Sequence, residues 1–349
     1  MKHAERDQPR VAPVPPDPAE LDALVALFRA RAIPVEPLPP PALPAALSEL
    51  SGRPLPRRPR AILFDVYGTL LASDSGEVGV RRAPGAVAAP REARSDRRRR
   101  LDAALARFGV TLGPEEFESE FDRIVRRVHA EGRSRGLVQP EVDAPAVVAE
   151  ITGFDARRAR ELCVERECAV NPAQAMPGAA DLIARARTEG LALGLVSNAQ
   201  FYTPLALEAA FRATLDGLGF DPRLRVLSHE LGAAKPDRAP YVLAAALLAE
   251  KGIEPGDAVM VGNDLANDVA PARELGFMTA LFAGDGRSLK LGGGPPPRGE
   301  RAMPSARPPR DEVAARAGAG EAPLPVLPDT VLPDFGSAAA RALLVAARP

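Results

Sequence analysis

Lysine is nearly absent from this chain of 349 residues: of its 45 basic residues only Lys2, Lys235, Lys251 and Lys290 are lysines, and the rest are arginines. Arginine therefore serves wherever a generic positive charge will do, so a lysine in a chemically suggestive place carries added weight. Cysteine is scarce too. Cys163 and Cys168 cannot build a disulfide framework, and their spacing is not that of a zinc knuckle. The histidines, His3, His129 and His229, are scattered and point to no histidine triad or zinc centre. No apolar run approaches the roughly 18 residues of a membrane span, and the opening MKHAERDQPR lacks the apolar core of a secretory signal. With a net charge of -1 there is no basic excess for sequence-blind nucleic-acid binding. Walker, G-x-S-x-G and G-x-G-x-x-G motifs are missing as well. These absences imply a reducing cytoplasmic address with no membrane and no nucleic-acid partner, and they leave the oligomeric state open.

Proline, by contrast, is abundant, at 38 residues, about twice the usual ~5% share. It collects at the flanks. Residues 1–58 alternate proline-rich pieces with one predicted helix at 19–32, started by Asp17 or Pro18 and striped by Leu21, Leu24, Val25 and Phe28. We read this stretch as an appended arm, partly ordered at best. The glycine- and proline-rich run at 291–323 has the composition of a flexible linker. A short strand and helix are expected in 324–349, the strand held to an edge by its prolines.

Between the flanks, short apolar runs recur at 61–64, 191–196, 224–228, 258–262 and 278–282, with helical periodicity between them. Runs of this length suit strands buried on both faces. Residues 59–82 and 173–290 therefore predict an α/β core, a doubly wound and mostly parallel sheet. The interval 83–172 breaks the rhythm with four helical stripes: Leu101/Leu105/Phe108, Phe117/Phe121/Ile124/Val128, Val147/Val148/Ile151 and Ala159/Leu162/Cys163. It reads as an inserted all-α cap domain docked over the sheet edge.

Ligands of such sheets bind at the carboxyl ends of the strands, so the residues just past each strand matter most. The first strand is succeeded by Asp65-Val66-Tyr67-Gly68-Thr69, the second by Ser197-Asn198, and the fourth by Asn263, Asp264, Asn267 and Asp268; Lys235-Pro236-Asp237 opens a helix between them. Singly, each has a commoner role as a turn former, loop or helix cap. Together they converge carboxylates, a hydroxyl and a rare lysine on one edge.

The motifs FDVYGTLL (64–71), LVSN (195–198), AAKPD (233–237) and VGNDLANDV (261–269), in this order, resemble those of the haloacid dehalogenase-like (HAD) hydrolase superfamily, with the helical insert where that family carries its C1-type cap. The resemblance spans residues 60–285 and implies a HAD-like Rossmannoid core. It makes Asp65 the nucleophile, Lys235 its pairing cation, and Ser197 a ligand of a substrate oxygen with Asn198 nearby. Thr69 supports the Asp65 loop and belongs with them to the phosphate-binding set. Asp65, the Tyr67 carbonyl, Asn263, Asp264 and Asp268 would hold Mg²⁺, a hard ion that prefers oxygen ligands.

Two positions depart from the phosphatases of the family. Where they carry an acid/base Asp two residues after the nucleophile, this chain has Tyr67, as 2-haloacid dehalogenases do; Tyr241, six after Lys235, fits the same pattern. Asn263 stands where phosphatases have their first acidic metal ligand. Because Asp264 and Asp268 beside Asp65 call for a cation, the expectation is a Mg²⁺-dependent phosphatase acting on a small phosphorylated metabolite through an aspartyl-phosphate, with Tyr67 and Lys235 in the catalytic set. The alternatives are a metal-independent 2-haloacid dehalogenase and a non-catalytic binding protein of the same fold. Arg81 and Arg82 are secondary candidates for a substrate anion, and the basic run 91–100 reads as a solvated helix face.

Overall fold

The structure is a computed structural model that describes residues 15–75, 91–137, 139–292, 324, 326–336 and 338–344. Arg81, Arg82, His3 and most of the 291–323 run lie outside the described residues.

The core is a six-stranded sheet in the order β5–β4–β1–β6–β7–β8, every pair parallel. Its strands are β1 (Ala61–Phe64), β4 (Ala192–Ser197), β5 (Phe220–Leu227), β6 (Ala258–Gly262), β7 (Met278–Phe282) and β8 (Thr330–Leu332). All of β1, β6, β7 and β8 is buried, as the continuous apolar runs predict for strands covered on both faces. β5 starts four residues before its apolar run, because its first half, Phe220–Arg223, is half-exposed and carries Pro222. Strand order reverses at β1, which lies between β4 and β6. That switch point sets the crevice at its carboxyl end as the natural ligand site.

A separate two-stranded antiparallel ribbon joins β2 (Leu71–Ser73) to β3 (Ala173–Ala175). Neither strand has a sequence signal, since three residues are too few to show a period. Between them the chain forms the helices α3 (Arg91–Arg107), α4 (Pro114–Ser134), α5 (Ala144–Thr152) and α6 (Ala156–Val170). Leu101, Leu105, Phe117, Phe121, Ile124, Val147, Val148, Ala159, Leu162 and Cys163 are buried in the same cluster as Phe64, Tyr67 and Leu70 of the core. The two cysteines are packing residues whose thiol pKa burial drives up. Of the basic run, Arg97, Arg98 and Arg99 pair with Asp74, Glu115 and Asp96.

The described part of the N-terminal segment, 15–58, is more integrated than its proline content suggests. Asp17 caps α1 (Pro18–Ala30) by accepting from the Glu20 N–H at 2.8 Å. Leu24, Val25 and Phe28 are buried, and α1 packs on both α6 of the cap and α8 (Thr203–Phe211) of the core. Glu20 receives a two-pronged contact from Arg160 of α6, 2.6 and 2.9 Å, with both side chains under a tenth exposed. At the end of α1, Arg31 pairs with Glu165 of α6, while Arg29 reaches the Glu208 carbonyl of α8. The prolines arrange extended runs that let Val35, Leu47 and Leu55 bury in turn.

Breaking one side of a buried ion pair leaves an uncompensated charge. Arg160→Met should therefore cost about 3 kcal/mol or more in urea unfolding, whereas the double change Glu20→Met/Arg160→Met should recover most of that loss. Equal destabilisation by single and double variants would show that the pair does not bind α1 to the cap.

Candidate active site

At the end of β1 the chain must turn sharply while keeping Asp65 at the strand tip. The Asp65 N–H still bonds the Val261 carbonyl of β6 at 2.9 Å, so its backbone remains in the ladder. Gly68 then turns at φ +81°, where a Cβ would meet the Ser288 side chain at 2.5 Å and the Asn263 amide at 2.6 Å. Only glycine fits both conditions.

One ammonium organises the carboxylates at this edge. Lys235 Nζ donates to Asp65 Oδ1 at 2.7 Å, Asp268 Oδ1 at 2.6 Å and the Val196 carbonyl at 3.0 Å, spending all three of its protons. Its burial would lower the pKa, but Asp268 and Asp65 outweigh that and hold it charged above its ordinary value. Burial raises the pKa of Asp268, against the pull of Lys235. Asp268 folds back over the end of β6, where a Cβ at Gly262 would meet its carboxylate at 2.3 Å; its other oxygen accepts the Asp264 N–H at 3.0 Å.

Each predicted site residue thus reaches the same edge. Ser197 is expected to hold a substrate oxygen; its hydroxyl donates to Asp65 Oδ1 at 3.1 Å and is buried. The wholly buried Thr69 hydroxyl lies 3.4 Å from Asp65 Oδ2 and 3.2 Å from Asn263 Oδ1, so it braces the Asp65 carboxylate. Asn198 uses both ends of its amide on the Lys235 backbone, at 2.7 and 3.0 Å, clasping that loop to the end of β4. Tyr241 donates to the Asn267 carbonyl at 2.7 Å and pins the 263–268 turn.

Tyr67 lines the cavity beside Asp65, and its hydroxyl is buried near Thr203 and Glu167. Burial, and then the charge of Glu167, raise its pKa well above the ordinary phenol value.

The expected metal set does not fit a divalent ion. Asn263 is neutral and engaged at both ends, its Oδ1 by Thr69 and its Nδ2 by the Ser288 carbonyl at 2.5 Å. Asp264 caps the helical turn Leu265–Val269, accepting from the Ala266 and Asn267 N–H groups at 2.8 and 3.0 Å and from the Asn267 amide at 2.9 Å. Asp268 is committed to Lys235 and to the Asp264 backbone. Among the described residues no three acidic, histidine or cysteine side chains are grouped to hold a metal. The repulsion that calls for a cation is met by Lys235 and by Lys290, whose Nζ lies 3.7 Å from Asp264 Oδ2.

A cavity of about 360 Å³ opens in front of Asp65, lined also by His129, Glu141, Asn198 and Lys290. The cap supplies Glu141, whose pKa burial raises. Gln200, just past Ser197-Asn198, donates to Glu141 at 2.9 Å and accepts the Ala144 N–H at 3.0 Å, tying cap to core. Sequence reasoning missed Glu141 and Gln200, which lie in no motif; Lys290 carried a signal in the rarity of lysine.

The family model of the haloacid dehalogenase-like hydrolases matches residues 59–276. The chain belongs to that family. Solved structures of similar fold include a HAD phosphatase from Thermococcus onnurineus, 21% identical over 65% of this chain and 87% of that one, TM-score 0.40. The putative HAD-hydrolase YfnB from Bacillus subtilis, bound to magnesium, is 17% identical over 66% and 89%, TM-score 0.37. A 2-haloacid dehalogenase from Pseudomonas syringae pv. Tomato DC3000 is 17% identical over 64% and 86%, TM-score 0.40. These likenesses reach both chemistries of the family and decide between neither. No curated protein sequence matches the chain. No helix of the described residues is long and apolar enough to cross a membrane.

His229, in the helix Ser228–Leu231 beneath this site, has a pKa lowered to about 4 by burial. The unfolded chain takes up a proton near pH 6.5 that the folded one refuses until about pH 4. Stability should therefore fall by about 3 kcal/mol between those values, and His229→Gln should flatten that part of the urea-midpoint profile. An unchanged profile would mean that His229 charges freely when folded.

Proposed function

We propose that this hydrolase works without a metal, through a covalent ester on Asp65, and that its substrate is a small carboxylic acid bearing a halide-type leaving group at carbon 2. The observation that carries the reading is the Lys235 ammonium held between Asp65 and Asp268. It supplies, inside the protein, the positive charge that the nucleophile needs.

Oδ1 of Asp65 is engaged by Lys235 and Ser197, which leaves Oδ2 to attack. Attack at the substituted carbon forms a carbon–oxygen bond and breaks the carbon–halogen bond, the halide departing with the electron pair and without a proton. A leaving group of that kind matches a site whose Tyr67 hydroxyl is buried and hard to ionise. An alkoxide leaving from a phosphomonoester would instead require an acid at that place. Water then attacks Cγ of the ester. Negative charge gathers on Oδ1, where Lys235 and Ser197 already donate. Asp268 takes one proton from water and passes it to the departing alkoxide, so the product is a 2-hydroxy acid; Asp65, freed as the carboxylic acid, loses the second proton of that water to solvent and is regenerated.

A second reading keeps the Mg²⁺-dependent phosphatase acting on a small phosphorylated metabolite. Its support is that Asn263 and Asp264 share the Asp65 cavity with Tyr67. The two readings separate in one assay. Halide release from 2-halopropionates in EDTA, reduced roughly a thousandfold or more by Asp65→Asn and within about threefold of wild type in Tyr67→Phe, is the expected result. Phosphate release from phosphomonoesters only in Mg²⁺ would transfer the assignment to the phosphatase. A folded protein silent in both assays would favour the binding role.

A further inference from the structure

We infer that Lys290 is a built-in counter-ion, standing where a divalent cation would otherwise neutralise the cavity and presenting its ammonium to the substrate carboxylate. The residue lies beyond the stretch matched by the family model, in the loop after β7. Its position is built rather than incidental. The Lys290 N–H bonds the Asn263 carbonyl at 2.9 Å and its own carbonyl accepts the Leu265 N–H at 2.9 Å, so the backbone brackets Asp264 on both sides.

The loop that delivers it is anchored from two directions. Asp285 accepts from the Ser288 hydroxyl at 2.6 Å and from the Leu38 N–H at 2.9 Å, and the Gly286 N–H reaches the Leu38 carbonyl at 2.8 Å. The N-terminal segment thereby takes part in placing Lys290. The side chain is 38% exposed and lines the cavity of Asp65, with Nζ 3.7 Å from Asp264 Oδ2. An ammonium so placed reaches solvent inside the cavity, as an anion-binding group must.

Charge and composition agree. Lys235 pairs with Asp65 and Asp268, and Lys290 faces Asp264, so each of the three aspartates at this edge has an ammonium beside it. A compact, strongly hydrated point charge imitates a metal better than a planar guanidinium does, and this arginine-rich chain uses one of its four lysines here.

The inference deepens the metal-free reading and rests on it, but its test needs no turnover. Calorimetric titration of the full chain with MgCl₂ should show no saturable binding to wild type and clear binding to Lys290→Gln, because a positive charge beside Asp264 is gone. Lys290→Arg, which keeps the charge, should bind no more than wild type, and Lys290→Met serves if the glutamine variant does not fold. Equal Mg²⁺ affinity in wild type and in the uncharged variants, or no binding to either, would overturn the inference. Failure to release halide from any 2-haloacid would sink the chemistry proposed above and leave this measurement unaffected.

Discussion

Three hydrogen bonds from a single ammonium hold the carboxyl edge of this sheet together. Lys235 joins a residue at the tip of β1, a carbonyl at the end of β4 and a carboxylate in the turn after β6. Two carboxylates meeting in a site almost closed to water would repel by several kcal/mol at an effective dielectric near 20. A cation between them changes the sign of that interaction. The local oddities serve this arrangement: Gly262 leaves room for Asp268 to fold back, Asn198 clasps the Lys235 backbone, and Tyr241 fixes the carbonyls that precede and include Asp268.

Placement of this edge depends on topology. The parallel sheet brings three chain-distant segments to one end, and the ribbon β2–β3 carries the cap over it. Cap and core are then tied in two further places. Gln200 reaches from the loop after β4 to Glu141 and Ala144, while α1 spans the outer face through Glu20–Arg160 and Arg31–Glu165. Both ties are polar and directional, and the first of them lies in the lining of the Asp65 cavity.

Much of this is legible from residues alone. Continuous apolar runs locate β1, β6 and β7, and the stripes of the inserted helices are the faces they bury. Asp65, Lys235 and Asp268 stand out because acids and a rare lysine fall at strand ends and helix starts. Hidden from the sequence is which atom each side chain addresses. Ser197 and Thr69 both turn toward Asp65, a matter of rotamer and burial that spacing does not encode. Asp264 carries both a helix cap and a lysine contact, and only geometry separates these from metal ligation. The N-terminal segment misleads for another reason: proline content signals extended backbone, not whether Leu24, Phe28, Leu47 and Leu55 find a surface to bury against.

The central claim is that Asp65 forms a bond to carbon. Turnover of 2-chloropropionate in water enriched in heavy oxygen tests it most directly, read by mass spectrometry of the peptide that contains Asp65. The account predicts that the first turnover transfers an unlabelled carboxylate oxygen to the product and that label accumulates in the Asp65 side chain. Label appearing in the product from the first turnover, with Asp65 unlabelled, would contradict it by showing direct attack of water.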